Sequence, residues 1–430
     1  MSISVVILAA GQGTRMKSNT AKVLHQISGK PMLFHAIDAA QKISNDITVV
    51  LYHQAAQIQE AIEQAYQNIR FHMQDAVQFP GTGGAMKGVV VSHEKVLILN
   101  GDMPLITMEA LESLTQGNAD INMSVIKLEN PSGYGRVVID ETNVSEIIEE
   151  KDCTPEQKKI QSVNAGVYCV KKGLLETYIP LLNNHNAQKE YYLTDIIKMA
   201  VDNHKTVHPV FVQEEEFKGV NSKLDLAKAE EIHQKRIKEK WMRDGITMRL
   251  PDTIYIDIRA TFEGECLVEN GVTILGDSHI IDSHIKAHSI IESSYIKNSD
   301  VGPMGRIRPA TKLMNTHIGN FVEVKKSTLT GVKAGHLSYI GDATVQEGTN
   351  IGAGVITCNY DGKNKYETII GKNVFVGSDS QLVAPVMIED DVLIAAGSTI
   401  TKNVEKGALA LSRTPMKTIQ DFFYKFFGEK

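Results

Sequence analysis

The order of apolar and polar residues changes character once along this 430-residue chain. In the first half, Ser4 to Ala10 (SVVILAA), Ile47 to Tyr52 (ITVVLY) and Lys95 to Leu99 (KVLIL) are short, continuous runs rich in β-branched residues. Such runs read as strands of a parallel sheet buried on both faces. Pro31 to Lys42, Ala55 to Tyr66 and Met108 to Leu114 have helical spacing between them. The succession is βαβ, so ligands are expected at the carboxyl ends of the strands, in the loops after Ala10 and Leu99. Ser222 to Arg243 contains neither Gly nor Pro and predicts one charged connecting helix.

From Gly245 the period becomes six. Ile370, Val376, Leu382, Ile388, Ile394 and Ile400 follow without a slip, and four residues after each stand Val374, Ser380, Val386, Val392, Ser398 and Val404. The spacing recurs, with interruptions, at Val268, Ile274 and Ile280, at Val301, Ile307 and Leu313, and at Val345 and Ile351. Six residues make one face of a triangular coil, which predicts a parallel β-helix of about eight to ten coils of roughly 18 residues. The expected division is an α/β domain over 1–221, a helical linker over 222–244, and a β-helix over 245–430 ending in a short tail.

Composition agrees with two architectures: 14 of the 33 glycines lie in residues 1–244 and 19 in residues 245–430. With 45 basic against 51 acidic side chains the formal charge is −6, which excludes a general nucleic-acid binder but not a small-anion site. Cys153, Cys169, Cys266 and Cys358 show neither CxxC spacing nor a pairing pattern, so a reducing compartment is expected. No run approaches the roughly 18 to 20 apolar residues of a membrane span, and the N-terminus shows no basic leader. These features predict a cytoplasmic protein without a membrane partner.

Leu8-Ala-Ala-Gly-Gln-Gly-Thr-Arg15 follows the first strand. Gly11 and Gly13 let backbone N–H groups approach a phosphate, and Arg15 adds a guanidinium, although neither a GxGxxG nor a P-loop is present. Together with Lys22 and Gly29-Lys-Pro-Met-Leu33, the segment resembles the sugar-1-phosphate nucleotidylyltransferases. The resemblance implies a Rossmann-like nucleotidylyltransferase domain in which Leu8, Ala9, Ala10, Gly11, Arg15 and Lys22 meet the nucleotide. It implies that Gln74 with Gly81-Thr82-Gly83 reads uracil, and that Asp102, in Asn100-Gly101-Asp102, and Asn221 hold Mg²⁺. Tyr134-Gly135-Arg136, Glu149 and Asn164 resemble the sugar pocket. The chemistry implied is attack of a sugar-1-phosphate oxygen on the α-phosphorus of UTP, with Arg15 and Lys22 neutralising the departing pyrophosphate.

In the β-helix, chemistry must come from residues that break the repeat. His336 follows a glycine, and an imidazole can take a proton from an attacking ammonium. Arg308, Lys325, Tyr339, Asn350, Asn359, Tyr360 and Lys365 lie within about three coils of it. The segments RIRPATKL, HIGNFVEVKKSTL, KAGHLSYIGDA, NIGAGVITCNYDGKNKYETIIG and ALSRTP resemble the bacterial family that is both glucosamine-1-phosphate N-acetyltransferase and N-acetylglucosamine-1-phosphate uridylyltransferase. That resemblance implies a left-handed parallel β-helix and a homotrimer with acetyl-CoA bound between subunits. His336 would be the general base, with Arg308, Lys325, Tyr339, Asn350 and Lys365 holding the sugar phosphate. Ala353, Asn359, Tyr360, Ser378, Ala396 and Arg413 would meet acetyl-CoA, and Cys358 would be packed rather than an acyl carrier. The two reactions would turn glucosamine-1-phosphate into N-acetylglucosamine-1-phosphate and then into UDP-N-acetylglucosamine, feeding peptidoglycan and lipopolysaccharide synthesis.

The chain departs from the family pattern at Asn100, where tyrosine is common, at Ala165, where threonine is usual, and in its tail. Asp421 to Phe427 is aromatic rather than basic, an amphipathic helix packing on a neighbour or a partner-binding patch, with packing favoured. The competing reading is a single-activity nucleotidylyltransferase with a structural or regulatory β-helix. His336 beside Arg308, Lys325 and Tyr339 argues against it.

Overall fold

The computed structural model describes residues 3–148, 150, 153–186 and 188–428. The chain forms two compact units, 1–233 and 234–430.

In the first unit β1 (Ile3–Leu8) precedes a hairpin of β2 (Gln26–Ile27) and β3 (Lys30–Pro31). Then come α1 (Met32–Gln41), β4 (Asp46–Leu51), α2 (Ala55–Ala65), β5 (Ile69–Met73), α3 (Thr82–Met86), β6 (Lys95–Asn100) and α4 (Met108–Thr115). They are followed by β7 (Ile121–Lys127), the pair β8 (Arg136–Asp140) and β9 (Asn143–Ile148), β10 (Ser162–Lys171), α5 (Lys172–Tyr178), α6 (Asp195–Asp202), β11 (Val207–Phe211) and α7 (Glu214–Phe217). The sheet runs β11-β7-β10-β6-β1-β4-β5, with β8 joined to β10. β1 pairs parallel with β4 and β6, and its residues Val5 to Ile7 have no exposure, so the apolar run is buried on both faces as its composition predicts. The parallel order breaks at β10, which runs antiparallel to β6 and β7 and shifts register between Asn164 and Tyr168. Because chain connections diverge on either side of β1, a crevice opens at the carboxyl ends of β1, β4, β5 and β6.

Helix α8 (Lys223–Arg243) crosses the division between the units. Ala229, Leu226 and Ile232 pack with Ile27, Met32, Leu105 and Val220 of the first unit. Ile237 and Trp241 pack on the core of the second, where Trp241 meets Phe262 edge-on at 5.2 Å. Gln234 bonds the backbone of Ile256 in both directions, and Lys238 Nζ donates to the carbonyls of Pro251 and Ile254. The polar side chains of this half therefore close the first coil.

The second unit is a left-handed β-helix of three parallel sheets. Its first face starts at Thr247–Met248, its second at Tyr255–Ile256 and its third at Thr261–Glu263. Ile370, Val376, Leu382, Ile388 and Ile394 point inward with at most 1% exposure, and Ser380 and Ser398 are equally buried. Early coils are shorter than 18 residues: Ile274, Ile291, Ile307, Val324 and Ile340 stack in register at spacings of 17, 16, 17 and 16. Serine and threonine corners explain the interruptions in the repeat. Ser283, Ser299 and Thr316 form a buried ladder in which each hydroxyl accepts from a backbone N–H of the next coil. From Thr357 to Leu382 the spacing widens to 25, and the extra chain forms the Asn359 to Tyr366 excursion.

The tail is exposed from Leu411 to Gly428 and ends in helix α9 (Phe422–Phe427), where Phe422 stacks on Phe426 and Phe423 meets Phe427 at a tilt. Among the described residues no helix is long and apolar enough to cross a membrane.

Candidate functional site

The crevice of the first unit is a cleft of about 550 Å³. Leu8, Ala9, Ala10, Gly11, Arg15, Lys22, Gln74, Gly81, Thr82, Asp102 and Asn221 all line it. The loop after β1 is held from both sides: Ala9 N donates to Val50 O at 2.9 Å, and Gly101 N to Leu8 O at 2.9 Å. A side chain at Gly101 would stand 2.8 Å from Leu33 Cδ1 and 3.3 Å from Ala9 Cβ, so glycine fits the close packing of this turn against the loop after β1. Tyr52 and Glu190 also line the cleft; Tyr52 merely ends an apolar run and Glu190 lies in a loop without a motif, so neither carried a sequence signal.

Asp102 and Asn221 converge on one point, and the Lys22 ammonium occupies it. Nζ is 2.5 Å from Asp102 Oδ2 and 3.1 Å from Asn221 Oδ1. Asn221 is steadied by its backbone N–H on Asp225 Oδ2 at 3.2 Å, and Val220 N bonds Asp102 O at 2.8 Å. Two oxygen donors with one formal charge suit a divalent cation that keeps water and phosphate ligands, and the bound ammonium shows that the pair accepts a cation.

Gln74 sits 8% exposed under the base loop. Its amide N–H₂ donates to Phe79 O at 2.9 Å and Gly81 O at 3.1 Å, so its remaining recognition group is the acceptor Oε1. The loop is zipped to the segment before α6: Tyr191 N donates to Pro80 O, Gly83 N to Tyr191 O, and Leu193 N to Thr82 Oγ1. Lys87 Nζ stands 5.0 Å from the Phe79 ring and 4.8 Å from the Tyr191 ring, clamping both.

Of the sugar-pocket residues, Gly135 and Asn164 lie outside this cleft lining and Glu149 lies outside the described residues. Asn164 sits at the β10 irregularity, with Nδ2 on Tyr168 OH at 2.7 Å and Oδ1 accepting from Gly166 N at 3.0 Å. Gly166 O in turn accepts from Asn100 Nδ2 at 3.3 Å, so the unusual Asn100 ties this strand to the cleft. The other unusual residue, Ala165, is buried. Arg136 is 1% exposed and paired at 2.6 Å with the partly exposed Glu150, so its guanidinium is already engaged rather than a free ligand-facing cation.

On the β-helix, Arg308, Lys325 and Tyr339 stand on the second face, and Lys365 reaches them from the 359–366 excursion. The ammonium of Lys325 lies beside that of Lys365 and lowers the latter's pKa below the ordinary lysine value. Two adjoining cations favour a dianion. Arg308 Nη1 donates to Glu323 Oε1 at 2.8 Å, which pushes the guanidinium pKa up. Gly341 leaves room for the Tyr339 ring, whose OH would be 2.5 Å from an added Cβ.

His336 ends the strand Lys333–His336, with its imidazole exposed at the corner between the first and second faces. Ala353, Ser378 and Ala396 stack above that corner, where Asp379 N bonds Ala353 O and Gly397 N bonds Ser378 O. Gly377 permits the tight stacking, since a Cβ there would lie 2.4 Å from Ala396 N. Asn350 stands instead on the first face and Asn359 at the second-to-third corner, where its Nδ2 holds Asp342 Oδ2 at 2.5 Å. Tyr360 and Arg413 are exposed. Cys358 is half-buried, and burial raises its thiol pKa, which opposes a role as a thiolate acyl carrier. Glu323 and Asp342, which partner the cationic cluster, carried no sequence signal.

Comparison with known proteins matches residues 5–163 to the MobA-like NTP transferase domain family and residues 367–402 to the bacterial transferase hexapeptide (six repeats) family. The chain is 73% identical to the Bifunctional protein GlmU of a Sulfurovum species, with all of both chains covered. It is 61% identical to that of a Nitratiruptor species, again over the whole of both. With the Aliarcobacter butzleri protein of the same name it shares 60% identity over 99% of each chain.

Proposed function

This chain belongs to the bifunctional GlmU family, and on that premise we propose which residues carry its reactions. It is a bifunctional transferase with uridylyltransferase and acetyltransferase activities. The specific substrates we assign are UTP with N-acetylglucosamine-1-phosphate, and acetyl-CoA with glucosamine-1-phosphate.

In the cleft, the backbone of Leu8 to Gly11 approaches the nucleotide, and Arg15 and Lys22 neutralise its phosphates. Gln74 Oε1 accepts from the uracil N3–H, a donor that cytosine lacks at that position. Gly81 and Thr82 shape the base pocket, while Gly135, Glu149 and Asn164 hold the acetamido sugar. Asp102 and Asn221 would hold Mg²⁺, which supplies charge neutralisation between the reacting phosphates when bound. The sugar phosphate oxygen attacks the α-phosphorus and pyrophosphate leaves.

On the β-helix, Lys325 and Lys365 take the phosphate of glucosamine-1-phosphate, assisted by Arg308 and Tyr339. The amine attacks the thioester carbonyl, His336 takes the proton lost by nitrogen, and coenzyme A leaves as its thiolate. Ala353, Ser378 and Ala396 offer a smooth column for the pantetheine arm, with Asn359, Tyr360 and Arg413 completing the coenzyme site. We assign a homotrimer whose acetyl-transfer sites are shared between neighbouring subunits, with Asn350 contributing from the first face and Asn359 from the second-to-third corner. Four free cysteines fit a cytoplasmic setting.

The paired cations Lys325 and Lys365, together with an exposed imidazole at His336 in the adjoining coil, carry the acetyltransferase reading. His336→Ala is expected to abolish acetyl transfer and spare pyrophosphate release from UTP, and Asp102→Asn to do the reverse. Full acetyltransferase activity in His336→Ala would refute the assignment.

A further inference from the structure

We propose that Lys22 is a resident cation that occupies the metal seat of the nucleotide cleft and yields it when metal arrives already bound to nucleotide phosphate. The inference rests on the reading of Asp102 and Asn221 as the metal-holding pair.

Three observations carry it. First, the ammonium is bonded to both oxygens that the metal would use, at 2.5 and 3.1 Å. A magnesium ion needs such oxygens at about 2.0–2.1 Å in a strict octahedron, so ammonium and metal cannot hold the seat together. Second, the pair is shielded, the Lys22 and Asp102 side chains being 12% and 17% exposed. A charge-assisted bond screened from water is roughly twice as strong as a neutral one, so a bare metal ion must displace a well-held competitor. Third, the lysine stem lies against the phosphate loop: a Cβ on Gly13 would come within 2.6 Å of Lys22 Cβ. The ammonium is thus tethered one side chain's reach from where nucleotide phosphates would sit beside Gly11 and Arg15.

The consequence is an order of loading. A free divalent cation evicts the ammonium into solvent and gains little. A metal–nucleotide complex brings phosphate oxygens that receive the displaced ammonium, so eviction and phosphate binding occur together. Lys22 therefore neutralises Asp102 in the empty cleft and the phosphates in the loaded one, and metal and nucleotide bind with positive coupling.

Mn²⁺ uptake by the full-length protein, followed by loss of the free-ion electron paramagnetic resonance signal, tests this. Without nucleotide, Lys22→Gln is expected to bind Mn²⁺ about tenfold or more tightly than the wild type, the scale of one charge-assisted contact. Lys22→Arg, which keeps the cation, is expected to stay as weak as the wild type. Equal Mn²⁺ affinity in wild type and Lys22→Gln, or tight binding by Lys22→Arg, would overturn the proposal. Adding a non-hydrolysable UTP analogue, with the Mn²⁺ that the analogue alone binds in solution subtracted, separates the premise: wild-type Mn²⁺ uptake should then rise, and Asp102→Asn should lose it. If Asp102→Asn kept that uptake, the metal-pair reading itself would fall, whatever Lys22→Gln showed. Retained acetyl transfer in each variant reports that the chain is folded.

Discussion

Gly81→Ala isolates the base loop of the nucleotide cleft. Gly81 has φ +93° and ψ 177°, a region open essentially to glycine, and an alanine there costs about 1–3 kcal/mol. The new methyl would also stand 2.6 Å from Tyr191 O and 2.9 Å from Glu190 Cβ, so the two segments must separate. Separation loosens the bonds Tyr191 N to Pro80 O and Gly83 N to Tyr191 O, both 2.8 Å, each worth about 0.5–1.5 kcal/mol net. Even the lower ends of these ranges give about 2 kcal/mol, or a roughly thirtyfold loss when expressed in nucleotide binding. The assay is the KM for UTP in pyrophosphate release, with acetyl transfer on the same chain as internal control. A UTP KM within threefold of wild type at unchanged melting temperature would refute the argument that loop geometry sets the nucleotide site.

Other outcomes follow from the second unit. Because Lys325 depresses the pKa of Lys365, affinity for glucosamine-1-phosphate should fall as pH rises while ordinary lysines are still charged. Lys325→Met should weaken binding but move that fall to higher pH, as titration calorimetry across alkaline pH can read. Asp257 is buried; burial alone would raise its pKa, but bonds from Arg259 and from the backbone N–H of Arg259 and Gly276 outweigh this and hold it low. Its contribution to stability is therefore present above the ordinary aspartate range and lost as pH falls through its depressed value. Asp257→Ala should lower stability by about 1–3 kcal/mol at neutral pH and flatten the acid limb of the melting curve. An unchanged acid limb would show that the group titrates normally.

Much of this architecture was legible because it is periodic. The β-branched runs around Val5, Val49 and Leu97 sit in the parallel core, and the six-residue spacing from Ile370 to Ile400 marks the inward position of each successive face of the β-helix. What stayed hidden depends on proximity in space. Strand β10 carries Asn164, Ala165 and Gly166 at its irregularity, which breaks any clean strand pattern and conceals the antiparallel insertion. The hold of Lys22 on Asp102 joins positions 80 residues apart. Arg136 reads like a ligand cation in sequence, yet it is buried and paired with Glu150, and the connector tryptophan, Trp241, packs partly buried against the core of the second unit. Short coils were masked because hydroxyls, not aliphatics, turn their corners.

The parallel ladders of the β-helix make length a quantised property. Each strand pairs only with its counterparts one coil before and one coil after, so no contact bridges Ile274 and Ile400 except through every rung between them. Removing one whole coil would leave the rungs on either side free to meet in their old register, and the 16- and 17-residue coils show that a corner can lose a residue without disturbing it, whereas removing one residue from within a strand would turn the side chains that follow it to the opposite face. Lineages bearing this architecture should therefore differ in length by whole coils or by excursions at corners, as the Asn359 to Tyr366 excursion does here, and almost never within a face.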